Sequence, residues 1–265
     1  MINEFMYGQS TALIVLLLLV GMLIATELAY RNGLRKQSDA NDAAKSQINT
    51  LQASMLGLLA LLLSFVFSLA LQRFDERSQF VVNEANAIGT TYLRTQLLPL
   101  SIRDQAQAML KQYVDVRVEE GQVNLAEIEK REALVKKSSQ ISEQLWALAM
   151  KSVELDKNAV TTGMFMQSLN DTIDAFGKRE AGLQRHVPET VVLLLLITII
   201  MTAATIGYAS GLTGQRAVFA TLVLQILISM AVFLTIDLDR PRRGFIQVSQ
   251  ASMVSLQQSI HSAIK

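Results

Sequence analysis

Four stretches of the chain carry no charged residue: Phe5–Thr26, Ser46–Gln72, Thr190–Gln215 and Ala217–Ile236, which are 22, 27, 26 and 20 residues long. A helix rising about 1.5 Å per residue crosses a hydrocarbon layer of roughly 30 Å with about 20 apolar residues. Each stretch meets that length, so the pattern predicts four transmembrane helices, at about residues 8–29, 52–72, 189–210 and 216–236. The first reads as an anchored span rather than a cleaved signal, because its only early charge is Glu4 and a secretory signal begins with cations.

Between the second and third stretches the pattern changes. Residues 73–189 hold 32 of the 47 charged residues, and proline occurs there only at Pro99 and Pro188. Nothing breaks the second span until the Leu98-Pro99 step, where the residue before proline is pushed out of the helical region. One helix is therefore expected over about 52–97, roughly 69 Å long at the standard rise, projecting beyond the bilayer as a stalk. Ser101 and Asp104 resemble a capping box, with Ile102, Ala106, Met109, Leu110 and Tyr113 at helical spacing until Gly121 stops the run. Asn124 and Glu127 open the next helix, whose apolar stripe is Leu125, Ile128, Ile141, Leu145 and Leu148, ending at Asp156 to Asn158. Val160, Leu169, Ile173 and Phe176 supply another stripe. The block reads as an antiparallel bundle of amphipathic helices. Past the fourth span, Asp237, Asp239, Arg240, Pro241, Arg242 and Arg243 form a charged elbow, followed by a moderately amphipathic helix over Phe245 to Ile264. The expected division is 1–72, 73–187, 188–236 and 237–265: a first transmembrane pair, a helical domain, a second transmembrane pair, and the elbow with its terminal helix.

Composition narrows the function. Of the 265 residues, 51% are hydrophobic and 18% charged, the formal charge is +1, and there is no cysteine. These numbers argue against a nucleic-acid binder, a disordered tail and a disulfide-stapled module. The two histidines, His186 and His261, stand apart from any ligand spacing, and no phosphate-cradling glycine loop or G-x-S-x-G elbow is present. No catalytic residue, metal site or cofactor is expected, and an enzyme is the reading with least support. His186, beside a span entrance, reads as an interfacial residue.

The second span holds the informative pattern. Ser54, Gly57, Leu61, Ser64, Ser68 and Gln72 recur at three- and four-residue steps, putting small or hydroxylated positions on one face, while Leu58, Leu62, Leu63, Val66 and Leu69 take the others. Two explanations stay open. Small residues let helix backbones approach closely, and close packing is favoured on pattern alone. Alternatively, copies of this helix line a conduit, with Leu61 and Phe65 as an apolar constriction that gates by dewetting. Past the span, Glu76, Phe80, Asn83, Thr90 and Arg94 continue at compatible spacing. Arg73 and Arg77 read as snorkelling anchors, and repeated round a ring they would raise the local anion concentration. Thr221, Gln225 and Ser229 on the fourth span read as interhelical hydrogen-bonding positions, and Gly207 and Gly211 on the third as a close crossing.

Counting Lys and Arg near the span ends gives eight on the side of the central block against five on the other, which places that block and both termini in the cytoplasm. The first span taken alone argues the reverse.

Leu62 to Gly89, reading LLSFVFSLALQRFDERSQFVVNEANAIG, resembles the second transmembrane helix of bestrophins, where an apolar neck runs into an Arg-aromatic-acid-Arg cluster and a V-N-E-like element. The whole chain is similar to bacterial bestrophin-like membrane proteins of unassigned function, through Glu27, Leu28, Tyr30 and Arg31, the run Asn83 to Arg94, and the D-L-D-R-P elbow at Asp237 to Pro241. The resemblance implies an all-α homopentamer in the bacterial inner membrane, with four spans per subunit, a cytoplasmic helical domain and an axial pore for inorganic ions. On this sequence the neck would be Leu61 and Phe65, with Gly57 or Leu69 depending on register. Ser64, Ser68 and Gln72 would line the pore, and Arg73, Arg77, Glu76 and Asn83 its vestibule. Anions are expected ahead of cations because of Arg73 and Arg77. Two departures from the family pattern bear on gating and selectivity. Only Asp237 and Asp239 stand where animal bestrophins carry an acidic calcium clasp, and Phe74-Asp75 replaces the aromatic pair after the first arginine. The rival reading is a non-conducting sensor or scaffold whose helical domain binds a partner or ligand.

Overall fold

The computed structural model describes residues 9–123, 127–241 and 244–262. Among these every regular element is helical, with no strand: α1 (Thr11–Arg35), α2 (Asp42–Arg94), a 3₁₀ turn (Thr95–Leu97), α3 (Leu100–Gln122), α4 (Ile128–Leu155), a π turn (Ala159–Gly163), α5 (Met164–Leu183), α6 (Glu189–Thr213), α7 (Val218–Asp239) and α8 (Ala251–Ser262). Four of them, α1, α2, α6 and α7, are long and apolar enough to cross a membrane, with mean hydropathy of 2.4 to 2.6 in their most apolar windows. The residue-8 edge expected for the first span lies outside the described residues. The chain folds as two compact units, one holding the residues up to Gln72 with His186–Arg240, the other Arg73–Arg185 with the segment from Pro241.

In the first unit the closest packing is that of α1 on α6, and it is backbone against backbone. A Cβ added at Gly207 would lie 2.2 Å from the Thr26 carbonyl oxygen, at Gly211 2.3 Å from that of Tyr30, and at Gly33 2.5 Å from that of Tyr208. Only glycine permits this approach. The close crossing expected at Gly207 and Gly211 is present, and Gly33 completes it from the other side. Contacts advance together along both helices, Thr26 against Gly207 and then Tyr30 against Gly211, so α1 and α6 run parallel. Helix α7 returns antiparallel: Gln225 meets Thr26, and Arg216 just before it meets Tyr30.

The second unit is built round a core of Ile88, Ile102, Leu110, Tyr113, Leu145, Phe165, Leu169 and Met253, all buried. Helix α2 enters at its polar end and stops where proline demands, with Leu98 in the extended region at ψ 154°. It begins ten residues earlier than expected, at Asp42, because no residue between Asp42 and Leu51 interrupts a helix.

Four local expectations change. Ser101 is not the N-cap of α3: the helix starts at Leu100, the cap position is Pro99 with no side-chain cap bond, and Arg103 reaches back to the carbonyls of Gln96 and Leu98. Gly121 lies inside α3 rather than ending it, and a Cβ there would come 2.7 Å from the Gln250 Oε1, so its smallness serves a contact. Ile128 is exposed, whereas Ile141, Leu145 and Leu148 are buried as the stripe requires. The terminal helix begins at Ala251, not Phe245, because residues 247–250 are non-helical and Gln250 turns its side chain to Arg179. Asn124, Leu125, Arg242, Arg243 and Ile264 lie outside the described residues.

Candidate functional site

The stripe on α2 can be placed round its axis from burial. Within the first unit the buried positions of this helix are Leu59, Val66 and Ala70. At about 100° per residue these fall within some 40° of one another. Gly57, Leu61, Ser64, Ser68 and Gln72 fall roughly 180° away from them. All five are exposed. Phe65 flanks the stripe by about 60° and Leu69 by about 100°. Leu61 is 52% exposed and Phe65 59%. The small and hydroxylated face is thus the one opposite the packed face of the helix within its own unit. Ser54 hydrogen-bonds the Thr50 carbonyl within the helix, which leaves the backbone as its polar partner.

The residues expected to line a vestibule separate into two groups. Arg73 pairs with Glu76 at 2.9 Å, both about one-third exposed, and Asn83 is exposed and accepts from Gln79. Arg77 is only 3% exposed, and its Nη1 faces the Arg185 carbonyl at 3.4 Å. It belongs to the interior of its unit.

The same interior holds a charge cluster that the sequence did not single out. Glu84, inside the Asn83 to Arg94 run, is fully buried and receives Arg117 at 2.6 Å through Nε and at 3.2 Å through Nη2. Arg179 reaches the same carboxylate and passes its other nitrogen to Gln250 at 2.8 Å. Arg117 also pairs with Glu120 and Glu180, lies over the Phe176 ring at 4.6 Å, and Glu180 takes a further bond from Arg131. Burial works to raise the Glu84 carboxyl, but the two guanidiniums outweigh it and hold it below the ordinary glutamate value. Burial opposes the Arg117 charge as well, and Glu84 more than restores it, leaving Arg117 above the usual range. Arg179 goes the other way: burial dominates, and the neighbouring Arg117 charge adds to it despite Glu84. Arg117 takes the larger share of the one carboxylate, as its two bonds imply. Burial, with Glu84 beside it, pushes the Tyr113 phenol up.

Spacing gave no warning of this cluster. Glu84, Arg117 and Arg179 sit on three helices and 95 residues separate the first from the last. The one available signal was local: a carboxylate between Val81, Ala85 and Ile88 lies on an apolar face.

At the end of α7, the Asp239 carboxylate accepts from the Val187 backbone N–H at 2.8 Å, and the His186 Nδ1 lies 3.0 Å from the Asp239 carbonyl. Both contacts lie within the first unit. Among the described residues no cluster of three or more His, Asp or Glu is placed to hold a metal.

The family model described as Bestrophin-like domain matches residues 11–253. Solved structures of a bacterial bestrophin homologue from Klebsiella pneumoniae match with the same fold. One, at 16% identity, covers 96% of this chain and 98% of that one with a TM-score of 0.65, and a point variant reaches 0.69 at 15% identity, covering 94% and 97%. A further structure, of a membrane protein variant, matches at 14% identity and a TM-score of 0.64, covering 92% and 97%. No curated protein matches the chain.

Proposed function

The chain belongs to the Bestrophin-like family, and from that premise we propose that it is a subunit of a homo-oligomeric membrane channel for inorganic ions, lined at its neck by α2. The observation that carries the reading is the stripe Gly57, Leu61, Ser64, Ser68 and Gln72, exposed and opposite the packed face of its helix. Lipid would reward leucine there, and a neighbouring helix within the chain would have covered it. A ring of copies, five by the family resemblance, turns that face to a shared axis. Leu61 then forms the narrowest apolar belt with Phe65 at its flank, Ser64, Ser68 and Gln72 wet the wall, and Gly57 sets the distance of closest approach. Leu69 lies off the axis. The central residues 73–187 form the cytoplasmic part and the four apolar helices cross the bacterial inner membrane in this proposal.

Neither the neck nor the mouth supplies a strong preference for one sign of charge in this reading. The anion preference expected from Arg73 and Arg77 loses its basis, since Arg77 is buried and Arg73 is neutralised by Glu76. A purely apolar belt discriminates by how readily an ion sheds water, and only weakly by sign.

The rival reading, a non-conducting sensor, draws on a cavity of about 370 Å³ between α4 and α5, lined by Ser139, Ser142, Glu143, Trp146, Ile173 and Phe176. Ion flux from purified protein in liposomes separates the two. The channel reading expects flux in the parent and a rise of about tenfold in Leu61→Ala, with a smaller rise in Phe65→Ala, because trimming the belt lowers a dewetting barrier by roughly 1.4 kcal/mol. No flux in the parent rejects the channel and leaves the sensor, whereas flux that neither substitution changes rejects the neck at Leu61 and Phe65.

A further inference from the structure

The first unit contains a cavity of about 130 Å³ between α1, α6 and α7, open at the end where Arg216 joins the last two helices. Its floor includes Gln225, which is 2% exposed and sits two turns into an apolar helix. The orientation of that amide is dictated by its neighbour. The Thr26 hydroxyl has one proton and donates it to the Ala203 carbonyl at 3.1 Å, so toward Gln225 it can only accept. Gln225 therefore presents its NH₂ to Thr26, at 2.7 Å. Its Oε1 is left without a hydrogen-bond partner among the described residues. A buried acceptor in this state destabilises the fold unless a donor arrives.

The mouth of the same cavity has the opposite demand. Glu27 takes Arg31 at 2.7 Å and Arg216 at 3.1 Å, and the Arg216 guanidinium stacks on the Tyr30 ring at 3.8 Å. Two cations share one carboxylate, leaving a surplus of one positive charge. Leu23, Val218 and Leu222 line the cavity with side chains exposed on the outer surface of the unit. The site therefore asks for an N–H donor at its floor, an anion at its mouth and an apolar body beside both.

We propose that this cavity binds the headgroup of an ammonium-bearing phospholipid, its primary ammonium donating to Gln225 Oε1 and its phosphate held by Arg216. The apolar rim favours a lipid over a free zwitterion, because an acyl chain covers Leu23 and Leu222 where a soluble molecule leaves them bare. The inference rests on α1, α6 and α7 being embedded in a bilayer, and does not require that the protein conduct.

The test is thermal unfolding of the purified full-length protein in vesicles of phosphatidylethanolamine or of phosphatidylcholine with matched acyl chains. The two headgroups share phosphate and positive charge, but the second has no N–H to give. The midpoint is expected to be higher in the ethanolamine lipid by roughly 3 °C, to fall stepwise with each N-methyl group, and to lose its headgroup dependence in Gln225→Leu. Should that variant fail to fold, Arg216→Gln, which leaves the Gln225–Thr26 bond in place, is expected to reduce the same dependence. Equal midpoints in the two lipids, or a headgroup dependence that survives both substitutions, overturn the proposal. Free phosphoethanolamine added to the choline vesicles separates the sources: no protection upholds a lipid occupant, and full protection overturns it in favour of a soluble one. Conduction in liposomes is a separate measurement, so its failure and the failure of this site are distinguishable.

Discussion

The two units of this chain bring helices together by opposite means. In the first, α1 and α6 meet by removing side chains: Gly33, Gly207 and Gly211 let carbonyl oxygens sit where a methyl group would be. In the second, α2, α3 and α5 meet by burying charge, with Glu84 held between Arg117 and Arg179. The difference follows from the solvent each helix is built for. Where lipid surrounds a helix, apolar side chains gain nothing by leaving it, and association depends on dispersion contacts that improve as backbones close. Where water surrounds it, hydrophobic burial drives collapse and leaves room for a costly ion pair, which stands only if every charge in it is answered.

The largest effect should come from breaking the charge cluster on one side only. Arg117→Met keeps most of the volume but leaves Glu84 with Arg179 alone and takes a partner from Glu120 and Glu180. A cost of about 3–5 kcal/mol in denaturant unfolding is expected. Adding Glu84→Gln to the same chain should recover part of it, since the uncompensated carboxylate is then gone. A double variant no more stable than Arg117→Met would mean that the cluster acts by shape and not by charge.

A smaller loss tests the other unit. Gly207→Ala places a methyl group 2.2 Å from the Thr26 carbonyl oxygen, with the Thr26 backbone carbon and Cα next in line, so no flexible end can give way. Overpacking of this kind costs about 1–3 kcal/mol. Gly57→Ala, on the α2 stripe, has open space around it and should leave the monomer's stability unchanged in detergent. If both variants melt alike, the α1–α6 crossing is not what holds the unit.

The hydrophobic pattern alone located the apolar helices, since uncharged runs of 20 or more residues leave little choice, and the α2 break at Leu98-Pro99 needs only proline's steric rule. The glycine crossing was half visible: Gly207 and Gly211 announce themselves by spacing, but their partner Gly33 sits beyond the uncharged run among Arg31, Arg35 and Lys36. The α2 stripe was visible as a pattern, but packing and conduit predict the same residues, and only burial of Leu59, Val66 and Ala70 fixes which way it turns. Arg77 misled for a related reason. Two arginines four residues apart look equivalent on a helix surface, yet one turns toward Glu76 and the other into the interior, a choice set by neighbours distant in sequence. The Glu84 cluster and the orphan acceptor on Gln225 were beyond reach because each depends on which residues from separate helices arrive together.

The mildest test uses pH. Glu84 ionises below its ordinary value of 4.5 in the folded chain, burial notwithstanding, because Arg117 and Arg179 favour the carboxylate. A carboxylate whose folded value is depressed lends stability that is fully present above the unfolded value and disappears as pH falls through the folded one. Nothing attributable to Glu84 should therefore change between pH 8 and about 5.5, and a decline of at most about 1.4 kcal/mol per pH unit should begin below roughly 4.5. The arginines stay charged across that range, so the slope belongs to the carboxylate. Glu84→Gln removes this part of the acid slope while other carboxylates keep theirs, and the measurement is the difference between parent and variant in unfolding midpoint from pH 6 to pH 3.5. A difference of the opposite sign, with the parent losing stability relative to the variant as pH rises, would show that Glu84 is protonated when folded. The second unit would then be held by neutral hydrogen bonds, and the contrast with the glycine-packed unit would reduce to one of side-chain size.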